Sequence, residues 1–243
     1  SRQVIQNLSQ LLPSEKPFFR RVGKVFSGAG LNDNDRLINY FKWINRKDLN
    51  SLYSYDFLQA LGQAKAELPM EEFLLNYEKD LSPLSKMLLL EQRFFLTDHN
   101  LLYTDKMSMA AGVEVRVPLL DHELINFAST IPLNCKQRGS IGKWIFKKSM
   151  EPFLPLNVIY REKTGFGAPF RDLLRNELSG WLMDTLSEET VKKRGLFDPK
   201  AVTQLIDFNA KGKLDATYTL LSLACIELWC ECFLDKSVQK LKP

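Results

Sequence analysis

The chemistry-bearing residues of this 243-residue chain fall in a few stretches. One is the loop Arg161-Glu162-Lys163-Thr164-Gly165-Phe166-Gly167-Ala168-Pro169-Phe170. Its two glycines permit backbone angles closed to other residues, and Pro169 can open the next helix. Taken alone, a lysine in such a loop reads as a solvated surface cation. The loop ends the most basic part of the chain. Lys136, Arg138, Lys143, Lys147, Lys148, Arg161 and Lys163 stand there against Glu151 and Glu162, in a chain whose net charge is +4. An anion-binding surface would draw on this segment. A second stretch carries Glu91, Asp98 and Asp105 at seven-residue spacing. On an α-helix that spacing sets all three near one face, with a rise of about 10.5 Å per step, too long for one metal to bridge two of them. The stripe is expected to pair with basic residues of a neighbouring helix. Cys135, Cys225, Cys230 and Cys232, with only His99 and His122 beside them, give no zinc spacing. They are expected to be reduced, buried thiols, and no metal site is expected.

The elements that must position these residues are helical nearly throughout. Apolar residues recur at three- and four-residue spacing over Val4–Leu12, Asp33–Ile44, Leu84–Ala111, Glu123–Thr130, Lys143–Met150, Phe170–Leu178, Ala201–Asn209 and Ala216–Phe233. Asp33, Ser82 before Pro83, Asp121 and Asp198 before Pro199 are the expected caps. Val113–Val117 alternates like a short half-buried strand, with Glu114 and Arg116 on one side, paired to other residues. An all-α chain is therefore expected, with the Thr217–Leu234 helix central and Leu220, Leu221, Ala224 and Leu228 buried. Glu227 and Glu231 would be expensive in lipid, so that helix reads as core and not as a membrane span.

Composition narrows the classes further. At 45% hydrophobic and 26% charged, the chain is neither collagen-like, low-complexity nor disordered. A charge of +4 is too mild to imply nucleic acid, and Trp144 and Phe146 cannot share one helix face as a stacking platform. The polar start Ser1-Arg2-Gln3 is no signal peptide, and a cytoplasmic location is expected. Gly28-Ala29-Gly30 follows Ser27 but lacks the acids of a nucleotide loop, so it reads as a connector before a helix. A weak boundary lies at 65–69.

The run DKMSMAAGVEVRVPLLD, from Asp105 to Asp121, resembles the asparagine synthase family, whose synthetase domain carries a segment close to D-K/R-M-S-M-A-x-G-x-E-x-R-x-P-F-L-D. The departure is Leu119, where Phe is usual. The resemblance continues through Pro132, Lys143, Lys147-Lys148 and Leu154-Pro155 to Arg161-Glu162-Lys163-Thr164-Gly165-Phe166, against the family's R-x-K-x-G-F-x-x-P. It spans residues 84–235. The resemblance implies an enzyme that adenylates the aspartate side chain with Mg-ATP and displaces AMP with ammonia released from glutamine in a separate domain. Relatives of this fold also close β-lactams or amidate sugars. The family's S-G-G-x-D-S and S-G-x-G-x-D-E segments are absent here.

The implied fold is thus the helical C-terminal portion of an α/β synthetase domain of the adenine-nucleotide-α-hydrolase-like, PP-loop ATPase type. One helical domain over 1–243 is expected, with a variable lead-in at 1–82 and the family-like region at 83–235. The resemblance makes Lys163 the catalytic lysine near the reacting phosphates, with Arg161 and Gly165 as substrate- or phosphate-binding residues and Glu114 and Arg116 as scaffold. ATP and Mg²⁺ belong to the complete enzyme, and none is expected on this chain alone. The implied partners are the N-terminal nucleotide-binding and glutaminase parts, with aspartate, glutamine and ATP as substrates; a homodimer stays open. The alternative is a non-catalytic helical interaction module derived from such an enzyme.

Overall fold

Helices begin where a short polar side chain takes up N–H groups that the first turn leaves free. Ser82 accepts from the Ser85 amide at 3.1 Å, Asp198 from Ala201 at 2.8 Å, and Asp121 from Glu123 and Leu124 at 3.0 and 3.1 Å. The helix Asp33–Asn39 differs from expectation. Asn32 caps it, accepting from the Asp35 amide at 2.9 Å, while Asp33 lies in the first turn and pairs with Arg36 at 2.7 Å. Ahead of it, Gly28 is buried and its carbonyl accepts from the Leu31 amide at 3.1 Å.

The computed structural model describes residues 28, 30–77, 80–162 and 169–235. Val4–Leu12 lies outside them. The described residues are mostly helical, as the periodicity predicts. Their named strands, Gln137–Arg138 and Ile141–Gly142, are two residues each and pair antiparallel. The chain divides into two compact units, one of residues 1–77 with 167–243 and one of residues 78–166. The 65–69 stretch falls inside the first unit, where the helix Leu68–Leu75 begins with a proline in its first turn.

The first unit is built around the helix Thr217–Cys230. Leu220 and Ala224 are fully buried beside Leu182, Leu186, Val191 and Val202. Leu221 is partly buried against that core, and Leu228 is exposed, contrary to expectation. The buried stripe instead steps from Leu220 through Leu223 and Ala224 to Glu227 and Cys230. Residues far apart in sequence close the unit. Asp198 N–H donates to Leu52 C=O at 2.8 Å, Ser54 N–H donates to Leu196 C=O at 3.0 Å, and the Tyr53 and Phe197 rings stack 5.8 Å apart.

The helix tail Thr217–Asp235 is long and apolar enough to cross a membrane, yet its polar anchors belong to a protein core. Arg194 holds the buried Glu227 through Nε at 3.0 Å and Nη2 at 2.7 Å. The same guanidinium reaches Asp235 through Nη1 at 3.0 Å and Nη2 at 2.6 Å. The hydrogen bonds from Asp235 and Glu227 push Arg194 above its ordinary pKa, and Arg194 in turn holds Asp235 below its own. Elsewhere in the unit, burial works to raise Asp215, but the Arg171 hydrogen bond at 2.7 Å and its charge outweigh burial and lower it.

In the second unit, the long helix predicted over Leu84–Ala111 runs as α over Pro83–Leu90, π over Glu91–Leu101 and α over Leu102–Ala110. The wider π turn brings residues five apart together. Arg93 meets Asp98 at 3.1 Å, and the Thr97 hydroxyl donates between the Gln92 and Arg93 carbonyls at 2.7 and 2.6 Å. Seven-residue steps therefore drift off one face, and Asp98 pairs within its own helix. The cysteines also differ from expectation: Cys230 is buried, Cys135 is half-buried, and Cys225 and Cys232 are exposed.

Removing Arg194 leaves the Glu227 carboxylate buried without its cation. Arg194→Met is expected to lower unfolding free energy by about 2–3 kcal/mol. Arg194→Met/Glu227→Leu should recover most of that loss, because neither partner is then stranded. Urea denaturation followed by circular dichroism checks both. Asp215 adds a pH dependence of defined sign. Its folded pKa lies below the unfolded value of about 3.9, so its contribution is complete above that pH and is lost as pH falls through the folded value. The urea midpoint should decline on the acid side, and Asp215→Asn should flatten that decline.

Candidate functional site

The functional segment lies in the unit of residues 78–166, between the family-like connector and the loop after Tyr160. The connector starts where the helix Leu102–Ala110 stops at Gly112, whose φ of 68° is open to glycine without strain. Val113, Val115 and Val117 are all exposed, so the stretch is not half-buried. Glu114 and Arg116 pair with each other across two residues of extended chain, both facing solvent, which suits a scaffold pair and not a link to other elements. Pro118–Leu120 forms a single 3₁₀ turn, after which Asp121 caps His122–Thr130.

The basic residues are organised by the hairpin and the helix after it. Arg138 on the first strand stacks its guanidinium over the Trp144 ring at 5.0 Å. Lys143, between hairpin and helix, has φ 56° and ψ 37° and is the non-glycine residue with positive φ among the described residues. A left-handed lysine costs backbone energy that its surroundings must hold in place. Here the hairpin fixes one side, and on the other the Lys143 carbonyl accepts the Lys147 amide at 2.9 Å as the helix Trp144–Met150 begins.

Two contacts tie that helix to the chain leading into the loop, and a third steadies them from within the helix. Lys147 lies over the Tyr160 ring at 5.5 Å. Tyr160 O–H donates to Glu151 at 2.7 Å, and Lys148 donates to the same carboxylate at 2.9 and 3.0 Å. The Tyr160 bond first and Lys148 second hold Glu151 below its ordinary pKa; Glu151 raises both of its partners. The one acid of the helix end is thereby occupied. Arg138, Lys143, Lys147 and Arg161 remain without ion pairs among the described residues.

This donor set suits phosphate oxygens, which want several fixed N–H groups and positive charge. It does not suit a divalent cation, since among the described residues no three His, Cys, Asp or Glu side chains converge. Arg161 stands exposed at the exit of the Tyr160 tie. Lys163 and Gly165 lie outside the described residues. Sequence reasoning passed over Lys143 as a site residue; its signal is backbone geometry imposed by the hairpin, which residue type does not reveal.

The chain belongs to the asparagine synthase family, whose family model, described as asparagine synthase, matches residues 24–231. The match begins well ahead of the signature motif. Among relatives, asparagine synthetase (glutamine-hydrolyzing) 1 of Bacillus subtilis strain 168 is 29% identical over 148 residues, 61% of this chain and 23% of that protein. A Mycobacterium tuberculosis H37Rv protein, provisionally named a glutamine-hydrolyzing asparagine synthetase, is 31% identical over 157 residues, 64% of this chain and 24% of its own length. Glutamine-hydrolyzing asparagine synthetase of Triphysaria versicolor is 37% identical over 79 residues, 29% of this chain and 14% of that protein. The chain spans about a quarter of the length of the first two. No solved structure matches it.

The Tyr160–Glu151 bond has a spectroscopic consequence. With its proton held by a carboxylate, Tyr160 should titrate above the ordinary value of about 10. Carbon-13 tyrosine NMR should show Glu151→Gln moving this resonance back down, while the other tyrosines stay put. An unchanged Tyr160 midpoint in that variant would contradict the tie.

Proposed function

We propose that this chain is the helical C-terminal portion of a cytoplasmic, glutamine-dependent, ATP-consuming asparagine synthetase, and that Lys163 is its catalytic lysine. The observation that carries this reading is the family match over 24–231, with the first signature block departing only at Leu119 and the second entered directly from the Lys147–Tyr160–Glu151 tie. ATP supplies the adenylyl group that activates a carboxylate. The part assigned to this chain is electrostatic. Lys163 and Arg161 meet negative charge as it builds on the phosphates, with Gly165 as a further phosphate-binding residue and Lys143 and Lys147 adding positive charge. Tyr160 and Glu151 are positioning residues that fix where Arg161 leaves the helix pair. The partner is the rest of the polypeptide, which brings the nucleotide-binding sheet and the glutaminase; aspartate and glutamine are the other substrates.

A second reading, a helical interaction module, draws on the exposed apolar residues of the signature region: Met107, Met109, Val113, Val115, Val117 and Leu119. The same surface serves the first reading as the face laid against the nucleotide-binding part, so activity separates the two. The 243 residues alone should give no ATP–pyrophosphate exchange with aspartate. In the complete enzyme, Lys163→Ala should slow adenylation by about 100-fold or more, the scale for one fixed electrostatic stabiliser. Substrate binding should change far less. Lys163→Arg should restore only part, since a planar fork replaces a compact ammonium. Near-normal pyrophosphate release from a well-folded Lys163→Ala enzyme would remove Lys163 from the mechanism.

A further inference from the structure

In the other unit, the helices Asp33–Asn39, Arg46–Leu52, Tyr55–Leu61 and Leu68–Leu75 border a cavity of about 490 Å³. That is the size of pockets that take small organic molecules. Its wall is largely apolar and aromatic, with Phe41, Trp43, Tyr53, Leu58 and Met70 among its residues and the buried Ile38 at one side. Burial raises the Tyr53 phenol above its ordinary pKa, as a water-poor wall does.

Two cross-links brace the rim. Lys42, in the turn after the first helix, pairs with Glu67, just before the last. Arg46 Nη2 donates to the Ala64 carbonyl at 3.0 Å. Burial works to raise Glu67, but the Lys42 hydrogen bond, a backbone bond and the charges of Lys42 and Arg46 hold it below its ordinary value. The Glu67 charge is thus spent on Lys42. Arg46 and Lys65 line the same cavity and make no ion pair among the described residues. Arg46 uses one of its five N–H donors on Ala64. The remaining nearby acids, Asp35 and Glu71, line a smaller adjoining cavity of about 170 Å³, which Lys42, Arg46, Lys65 and Glu67 also border. Asp35 already accepts from the Asn32 side chain at 2.8 Å.

An apolar cavity lined by the cations Lys42, Arg46 and Lys65 against one acid, Glu67, is complementary to a molecule with a hydrocarbon body and one negative end. We propose that this cavity binds an amphipathic carboxylate, its alkyl or aryl body within the Phe41–Tyr53–Leu58 wall and its carboxylate held by Arg46 and Lys65. The site lies in the opposite unit from the basic segment and does not rest on the reading of Lys163.

The test is calorimetric titration of the 243-residue chain with octanoate, octan-1-ol and octylammonium, each below micelle formation. Octanoate should bind one per chain and more tightly than either analogue. Arg46→Gln/Lys65→Gln exchanges two exposed side chains and should keep the fold. It should weaken octanoate by about tenfold or more, the scale of charge-assisted hydrogen bonds, and leave octan-1-ol unchanged. Leu58→Trp, which fills the chamber, should abolish binding of both. Octylammonium binding as tightly as octanoate, octanoate binding unaffected by the double variant, or no octanoate binding by the folded chain would each overturn the proposal.

Discussion

The rest of this structure depends on one constraint: an apolar helix face must be covered, and the unit of residues 78–166 does not cover its own. Among its described residues Leu90 alone is buried. Met107, Phe127, Phe153 and Leu156 are each more than half exposed. Burying such side chains is worth about 1.5–3 kcal/mol apiece, so this unit forgoes the main force that holds helices together. The other unit meets the constraint internally. Its Thr217–Cys230 helix closes on Val191, Val202 and Leu182, and Arg194 fixes the one acid that helix buries.

The contrast matters because the family's most specific residues lie in the poorly covered unit. Asp105 to Asp121 makes almost no buried contact, and the basic segment that follows is held mainly by local polar ties: Arg138 on Trp144, Lys147 on Tyr160, and Glu151 between Tyr160 and Lys148. These ties do a limited job. They occupy the acid and orient the cations, leaving a surface with positive charge and apolar patches side by side.

Much of this was legible in the sequence. Ser82, Asp121 and Asp198 announce helix starts because capping is local chemistry, and the Leu220–Ala224 stripe announces a core because burial follows helical spacing. The signature blocks carried the family. What escaped was set by packing or backbone geometry. Asp33 is the expected cap of its helix, yet Asn32 takes the Asp35 amide and Asp33 pairs with Arg36 instead. The π turns of Glu91–Leu101 let Asp98 pair with Arg93 five residues back, a contact that ideal α spacing does not predict. Cys225 and Cys232 sit in an apolar run, yet on the side of the helix that the core leaves open. The left-handed backbone of Lys143 comes from the hairpin before it. Of the expected site residues, Arg161 is described and exposed, while Lys163 and Gly165 rest on the family motif.

Native-state hydrogen exchange on the 243-residue chain tests the central claim most directly. If the family-specific unit awaits a covering partner, its local openings cost little. Amides of Leu102–Ala110 and His122–Thr130 should then exchange about 100-fold or more faster than those of Thr217–Cys230, and should gain protection when the rest of the polypeptide is joined to the chain. Equal protection of the three helices in the chain alone would contradict the account.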